Sequence, residues 1–415
     1  MKYAVITFGC RVNQADSLGF EEALLASGAT AAPPEDADLV VVNTCSVTSS
    51  ADQGARQVIR RVARSNPAAR IVVTGCYATR RPDELAELPN VVRVVPNDDK
   101  PRLIPLIHPS DLGDGPCGAA IEPGVAGRTA FTLRVQTGCA EPCSYCIIPS
   151  TRGVPRSVRP DQVARELDRV TAAGFKEIAL TGVHLGSYGR DLDMPSSLIA
   201  LLRALDDRAA RLPVDVLFRI SSLEPMDCSS AIVDLVAESP RFAPHFHLPL
   251  QHASDRILAA MRRPYTLDEY SGLVERIRAL VPGAAIGSDV IVGFPSETDA
   301  DFDILARWLE SSPLTHIHVF PYSDRPGTPA SAMPGKVAGA TVRERAQRVR
   351  EIGQRLAARF RASQIGTAQR ALTLEDGSLA VTGNYLKLRI PPGRARNEWV
   401  TLRVASEHHG ELLGG

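Results

Sequence analysis

Cys139, Cys143 and Cys146 stand in a C-x3-C-x2-C pattern directly after an apolar, strand-like run over 131–136. Three thiolates this close, on a loop at the C-terminal end of a strand, can ligate three corners of a cubane iron–sulfur cluster. The fourth iron then lacks a protein ligand. An open iron is what a cofactor must chelate if it is to receive an electron directly. Zinc is the competing use of such cysteines, but structural zinc ordinarily takes four protein ligands in paired spacings. No obvious fourth ligand accompanies these three. Disulfide pairing is disfavoured where thiols are kept reduced.

Cys10, Cys45 and Cys76 look scattered, yet each closes a strand-like run: Val5-Ile-Thr-Phe-Gly-Cys10, Val40-Val-Val-Asn-Thr-Cys45 and Ile71-Val-Val-Thr-Gly-Cys76. In an open α/β sheet, sites form at the carboxyl ends of parallel strands. Neighbouring strands lie ~4.8 Å apart, so three such thiols can converge on one small object. A lone cysteine in this position packs as a small hydrophobe; recurrence on three strands argues for a ligand set. Again only three thiolates are supplied, so this cluster too would keep an open iron. Asn13, Gln14, Asn43 and Thr44 are placed either to hydrogen-bond cluster sulfurs or to cap loops. The remaining cysteines, Cys117 and Cys228, have no partner pattern.

The elements that must position these residues follow from periodicity. Strand-like runs at Tyr3–Thr7, Asp38–Asn43, Arg70–Thr74 and Val91–Val95 alternate with helical patterns at 14–27 and 49–65. Such βαβ alternation implies a parallel sheet covered by helices. Strand candidates at 131–136, 176–181, 214–221, 245–250, 284–292 and 315–320 then alternate with helices such as 161–173 and 298–310. Six βα repeats over ~190 residues fall short of the ~250-residue eight-fold barrel, so a partial barrel is expected. Over 341–364, Val342, Ala346, Val349, Ile352, Leu356 and Phe360 form one apolar helical stripe. The last ~50 residues read as short strands with Gly, Asn and Pro turns. The expected class is therefore α/β: a parallel α/β sheet domain (1–107), a Pro/Gly-rich linker (108–128), a partial (βα)6 barrel (129–335), a connecting helix (336–364) and a small β-barrel (365–415).

The chain has 415 residues, 44% of them hydrophobic, enough for substantial cores. Its first residues, MKYAVITFGC, lack a signal-peptide pattern, and no apolar run reaches the roughly 18 residues of a membrane span. A cytoplasmic location with no membrane partner is expected. Formal charge is zero, but residues 336–415 hold 14 Lys+Arg against 7 Asp+Glu. A basic C-terminal segment suits an acidic partner such as RNA. His245 and His247 alternate on one strand face, as do His316 and His318; they read as satisfied interior histidines.

The segment Gln136-Thr-Gly-Cys-Ala-Glu-Pro-Cys-Ser-Tyr-Cys-Ile-Ile-Pro-Ser-Thr-Arg-Gly153 resembles the radical-SAM motif of the tRNA and ribosomal-protein methylthiotransferases. The resemblance spans nearly the whole chain, including Leu180-Thr-Gly-Val-His-Leu-Gly-Ser-Tyr-Gly189, Arg219-Ile-Ser-Ser-Leu-Glu-Pro225, Asp289-Val-Ile-Val-Gly-Phe-Pro295 and His318-Val-Phe-Pro-Tyr-Ser323. Thr7-Phe-Gly-Cys-Arg-Val-Asn-Gln14 is most similar to the branch acting on N6-threonylcarbamoyladenosine. Gln251-His-Ala-Ser254 departs from the Gln-Ser-Gly-Ser of the family.

The resemblance implies two 4Fe-4S clusters. One, on Cys139, Cys143 and Cys146, binds and reduces S-adenosylmethionine; the resulting radical abstracts hydrogen from an adenine carbon. The other, an auxiliary cluster on Cys10, Cys45 and Cys76, presents a methylated sulfur, with a second S-adenosylmethionine supplying the methyl. It further implies cofactor contacts at Gly182, Ser222, Glu224 and Gly293, a sulfur donor, and an electron donor such as flavodoxin or ferredoxin. The substrate would be the modified adenosine at position 37 of tRNA, next to the anticodon. The C-terminal barrel resembles the RNA-binding TRAM domain, and strand parity over Asn384–Ile390 puts Tyr385, Lys387 and Arg389 on one face, suited to RNA. Isopentenyladenosine or a ribosomal protein is the alternative substrate, and an RNA-binding redox sensor the alternative class. A cobalamin-dependent methylase would need an Asp-x-His-x-x-Gly signature that the N-terminal domain lacks.

Overall fold

The computed structural model describes residues 1–107, 122–123, 129–408 and 410–414. Most of the expected linker, with Cys117, lies outside the described residues. The chain folds into two compact units. One takes 1–121, 136–156 and 323–331; the other takes 122–135, 157–322 and 332–415.

The first unit is built on a parallel sheet with the order Thr30–Ala31, Lys2–Thr7, Leu39–Thr44, Arg70–Gly75, Val91–Val95. Leu39–Thr44 is buried at every position, and Arg70–Gly75 at all but its first. Burial on both faces is why these runs are continuously apolar rather than alternating. Val40, Val42, Ile71 and Val73 pack on one face under Ala55, Ile59 and Val62 of the helix Ser49–Ser65. Leu39, Val41 and Val72 pack on the other, under Phe20 and Leu24 of the helix Arg11–Ala26. That helix starts three residues before the expected 14–27, directly after Cys10. Cys10 is its N-cap and makes no side-chain capping bond, so the thiol takes no part in ending the helix.

Two later stretches complete this unit. The short helix Ile148–Arg152 follows the third cysteine of the C-x3-C-x2-C loop, and Asn97 Nδ2 donates to Thr151 O at 2.7 Å. From 323–331, Arg325 donates to Asp52 at 2.7 Å and Ala330 N–H to Ser144 O at 2.8 Å.

In the second unit, Phe131–Arg134, Glu177–Thr181 and Leu217–Ile220 form one parallel sheet, and His245–His247, Ala285–Val292 and His316–Pro321 another. Phe218 links them: its N–H donates to Arg241 O at 2.7 Å and its carbonyl accepts from Ala243 N–H at 2.8 Å. Strand order follows chain order, giving the open six-stranded arc expected from the sequence. The strand expected over 245–250 stops at His247; Pro249 and the positive φ of Gln251 (67°) interrupt it. The helix Gly339–Gln364 buries Ala346, Val349, Ile352 and Leu356. Five strands then close a barrel in the order Ala368–Leu374, Leu379–Thr382, Lys387–Arg389, Glu411–Gly414, Trp399–His408. Among the described residues, no helix is long and apolar enough to cross a membrane.

Arg219 fixes this small barrel to the open arc. Its side chain is 0% exposed and donates to Glu177 at 2.7 Å. Nη1 donates to Gly383 O at 2.8 Å, and the guanidinium lies 4.6 Å from the centre of the Tyr385 ring. Arg219→Met would strand the buried Glu177 carboxylate and is expected to cost about 3–5 kcal/mol. Urea titration should show the loss, and Glu177→Gln in the same chain should restore most of it.

Candidate functional site

The three strand-end cysteines of the first unit are placed by backbone pairing. Leu39–Thr44 is the neighbour of both Lys2–Thr7 and Arg70–Gly75. Thr44 pairs with Gly75, so Cys45 and Cys76 leave the sheet at one level. Thr7 pairs with Asn43, and Cys10 follows three residues on. Gly9 makes this approach possible. It has φ +86°, and a Cβ there would fall 2.6 Å from Cys45 Sγ. Cys45 and Cys76 are buried and Cys10 is exposed. Burial pushes the Cys45 thiol up to about 11; Cys76 and Cys10 add to the rise, opposed by backbone N–H groups of Val47 and Ser46. A bound metal would take the place of the proton and reverse that balance. Asn97 Nδ2 approaches Cys76 Sγ at 3.7 Å.

The second cysteine set belongs to the same unit. Glu141 N–H points at Cys139 Sγ at 3.4 Å, and Ile148 N–H at Cys146 Sγ at 3.5 Å. None of the six thiols is in a disulfide. Backbone N–H groups directed at thiolate sulfur are the usual surroundings of iron–sulfur ligands, and the C-x3-C-x2-C loop supplies two of them.

Three of the four residues considered as donors to cluster sulfur, Asn13, Asn43 and Thr44, brace the loops. Asn13 Nδ2 bonds Phe8 O and Thr44 O at 2.8 and 3.0 Å. Asn43 Nδ2 bonds Asn13 O and Ser17 Oγ, and Thr44 Oγ1 bonds Thr74 O. Sequence reasoning passed over Arg152, Lys100 and Asp16, which are buried beside this site. The signal available was position alone: Arg152 lies six residues after Cys146.

The other expected contacts lie in the second unit. Gly182 and Ser222 follow the ends of the strands Glu177–Thr181 and Leu217–Ile220. Ser222 Oγ is 2.9 Å from His247 Nδ1. His247 Nε2 is 3.2 Å from Asp289 Oδ1, and that oxygen is 3.2 Å from His318 Nδ1. Burial alone would raise the Asp289 pKa, but the two imidazoles outweigh it and hold the carboxyl at about 2. The hydrogen bond to Asp289 in turn raises His318, whereas burial lowers His316 to about 4. Glu224 is paired with Arg263. Gly293 has φ +76°, and a Cβ there would fall 2.4 Å from Val342. Its N–H donates to Glu297 at 2.7 Å. His252, the departure from the family pattern, is fully buried with Nε2 3.7 Å from the same Glu297.

In the C-terminal barrel the strand begins at Lys387 rather than Asn384. Tyr385 sits in the preceding turn at φ +66°, its ring 5.2 Å from His245. It therefore lies outside the strand, although it is exposed as Lys387 and Arg389 are, while Leu386, Leu388 and Ile390 are buried as parity expects. Lys387 and Arg389 are exposed, and Arg389 pairs with Glu411. Buried Cys228 has its thiol pushed up to about 12 by burial and joins no cluster.

Residues 133–309 match the Radical SAM superfamily, and residues 2–96 match the uncharacterized protein family UPF0004. TsrM from Kitasatospora setae, a radical S-adenosylmethionine methyltransferase with cobalamin and a [4Fe-4S] cluster bound, shares the fold. Its TM-score is 0.57 at 17% identity, over 80% of this chain and 77% of that one. The threonylcarbamoyladenosine tRNA methylthiotransferase MtaB of Aquifex aeolicus is 36% identical, over 94% of this chain and 96% of its own length. MtaB of Thermotoga maritima is 35% identical over 96% and 93%. A tRNA-2-methylthio-N(6)-dimethylallyladenosine synthase of Parafrankia is 34% identical over 99% and 85%. The fold and the C-x3-C-x2-C loop thus define a radical-SAM enzyme, whose class carries a 4Fe-4S cluster and uses S-adenosylmethionine. Within that class, the chain belongs to the methylthiotransferase family, in its MtaB-like branch.

The raised His318 pKa depends on Asp289. Asp289→Asn should lower the His318 midpoint, read by NMR of the imidazole protons. The native pair stabilises the fold below the unfolded histidine pKa of about 6.5, and that contribution fades as pH rises through the higher folded value. An unmoved midpoint would show that Asp289 does not govern His318.

Proposed function

We propose that this chain methylthiolates N6-threonylcarbamoyladenosine at position 37 of tRNA, with Cys139, Cys143 and Cys146 holding the cofactor-binding cluster and Cys10, Cys45 and Cys76 holding a second 4Fe-4S cluster. The observation that carries the reading is that two sets of three free cysteines occur in one folded unit. When bound, the clusters supply reduction of S-adenosylmethionine and a site for sulfur; the protein orients the reactants. Two S-adenosylmethionine molecules are used per turnover, one for the radical and one for the methyl. A flavodoxin- or ferredoxin-like electron donor and a sulfur donor complete the reaction, in the cytoplasm.

Gly182, Ser222, Glu224 and Gly293 are the assigned S-adenosylmethionine contacts. Ser222 is oriented by His247, and Glu224 by Arg263. Lys387 and Arg389 are assigned to the RNA backbone, and Tyr385 to the RNA-facing edge of the same barrel. Replacing Cys139, Cys143 and Cys146 together by Ala should abolish 5′-deoxyadenosine formation. Replacing Cys10, Cys45 and Cys76 should spare it but stop sulfur transfer. Anaerobic assays of both variants check this, and undiminished 5′-deoxyadenosine from the first would falsify the assignment. A redox sensor would form none even as the parent chain.

The substrate assignment has a separate test. A pocket built for the adduct's carboxylate leaves buried polar groups unpaired when offered an apolar isopentenyl group, and so discriminates strongly. Purified enzyme given tRNA lacking threonylcarbamoyl groups should yield no methylthio product by nucleoside mass spectrometry. With tRNA lacking isopentenyl groups the yield should stay normal; the reverse pattern would move the chain to the isopentenyl branch.

A further inference from the structure

The first unit buries more positive charge than it neutralises. Arg152 is 3% exposed and Lys100 7%. Lys100 Nζ donates to Asp16 at 2.7 Å and to Asn13 Oδ1 at 3.3 Å. Arg152 Nη2 donates to the same Asn13 oxygen and lies 3.4 Å from Asp16; Nη1 reaches Thr137 at 3.3 Å. Asp16 is the carboxylate that both cations touch. Burial, with Arg152 beside it, lowers the Lys100 pKa despite Asp16, so the two basic groups compete for one carboxylate and a further anion would relieve the cost of burying both charged. Arg152 Nε also lacks a hydrogen-bond partner among the described residues.

The missing negative charge has a location. Asn13, whose Oδ1 accepts from Arg152, holds Phe8 O and Thr44 O through its Nδ2, two residues before Cys10 and one before Cys45. The neighbouring residue, Thr151, is tied through Asn97 to Cys76. A 4Fe-4S core with three thiolates carries one negative charge when oxidised and two when reduced. Net charge and hydrogen bonds to sulfur set the potential of such clusters.

We propose that Arg152, held by Asp16, Asn13 and Thr137 and reinforced by Lys100, is a positioning residue that faces the Cys10–Cys76 side of the auxiliary cluster and stabilises its reduced state. The inference rests on the reading that Cys10, Cys45 and Cys76 hold a cluster. It adds that the segment following the other cysteine loop tunes that cluster.

The test uses the full chain with Cys139, Cys143 and Cys146 replaced by Ala, reconstituted anaerobically so that only the auxiliary cluster is present. Iron and sulfide are counted, and the cluster is titrated with dithionite under EPR detection. Arg152→Met should shift the oxidised-to-reduced ratio at fixed potential tenfold or more toward oxidised, equivalent to 59 mV for one electron. Lys100→Met should shift it the same way, and Arg152→Lys, which keeps the charge, should stay within about threefold of the parent. If Arg152→Met loses the cluster and Arg152→Lys keeps it, the charge is required and the proposal stands. If both methionine variants hold a full cluster and titrate like the parent, it is overturned. It is equally overturned if both Arg152 variants lose the cluster while Lys100→Met titrates like the parent. A parent chain without iron would refute the cluster reading itself, and this inference with it.

Discussion

The constraint on which the first unit depends is the hydrogen-bond ladder between Leu39–Thr44 and Arg70–Gly75. A parallel ladder fixes register to the residue, because a slip by one would turn every buried side chain to the opposite face. Here Val40 and Val42 pack against one helix layer and Val41 against the other, so both faces of the strand are held. That register delivers Cys45 and Cys76 to one edge of the sheet at the same level. Gly9 then lets the third cysteine close in. The metal-ligand geometry is in this sense a by-product of valine packing.

Much of this was legible in the chain. Continuous apolar runs ending in cysteine gave the strand ends, and the helix expected over 49–65 matches Ser49–Ser65 to the residue. The six strands of the open arc were readable because each carries an apolar run bounded by turn residues. Legibility failed where conformation depends on distant partners. Parity placed Tyr385 on a strand, but the chain turns there because Thr382, Asn384 and Leu386 bond one another. At Gly293 the lack of a side chain also admits Val342 of a helix that begins far along the chain, a packing role that no local pattern announces. His252 looked like a departure at an active mouth; its place beside Glu297 is set by an ion-pair network with Arg345.

Charge shows the same limit. An arginine-rich sequence makes each Arg uninformative by itself. Only burial separates arginines such as Arg152, Arg219 and Arg345, which are enclosed and paired with acids, from the solvated ones around them. The three do different work. Arg219 fastens two sub-structures of one unit, Arg345 fixes the loop after the strand Ala285–Val292, and Arg152 holds Asp16 and Asn13 in the helix that follows Cys10.

The first unit takes chain from three places, the last ending at Ser331. Arg325, from that last stretch, is 3% exposed on Asp52, so the unit is incomplete without it. During synthesis at roughly 5–20 residues per second, the sheet would emerge on the order of ten to fifty seconds before the segment that finishes it. For that interval the nascent chain holds Asp52 without its Arg325 partner, so the carboxylate and the loop after Cys45 go without that guanidinium until the last segment arrives.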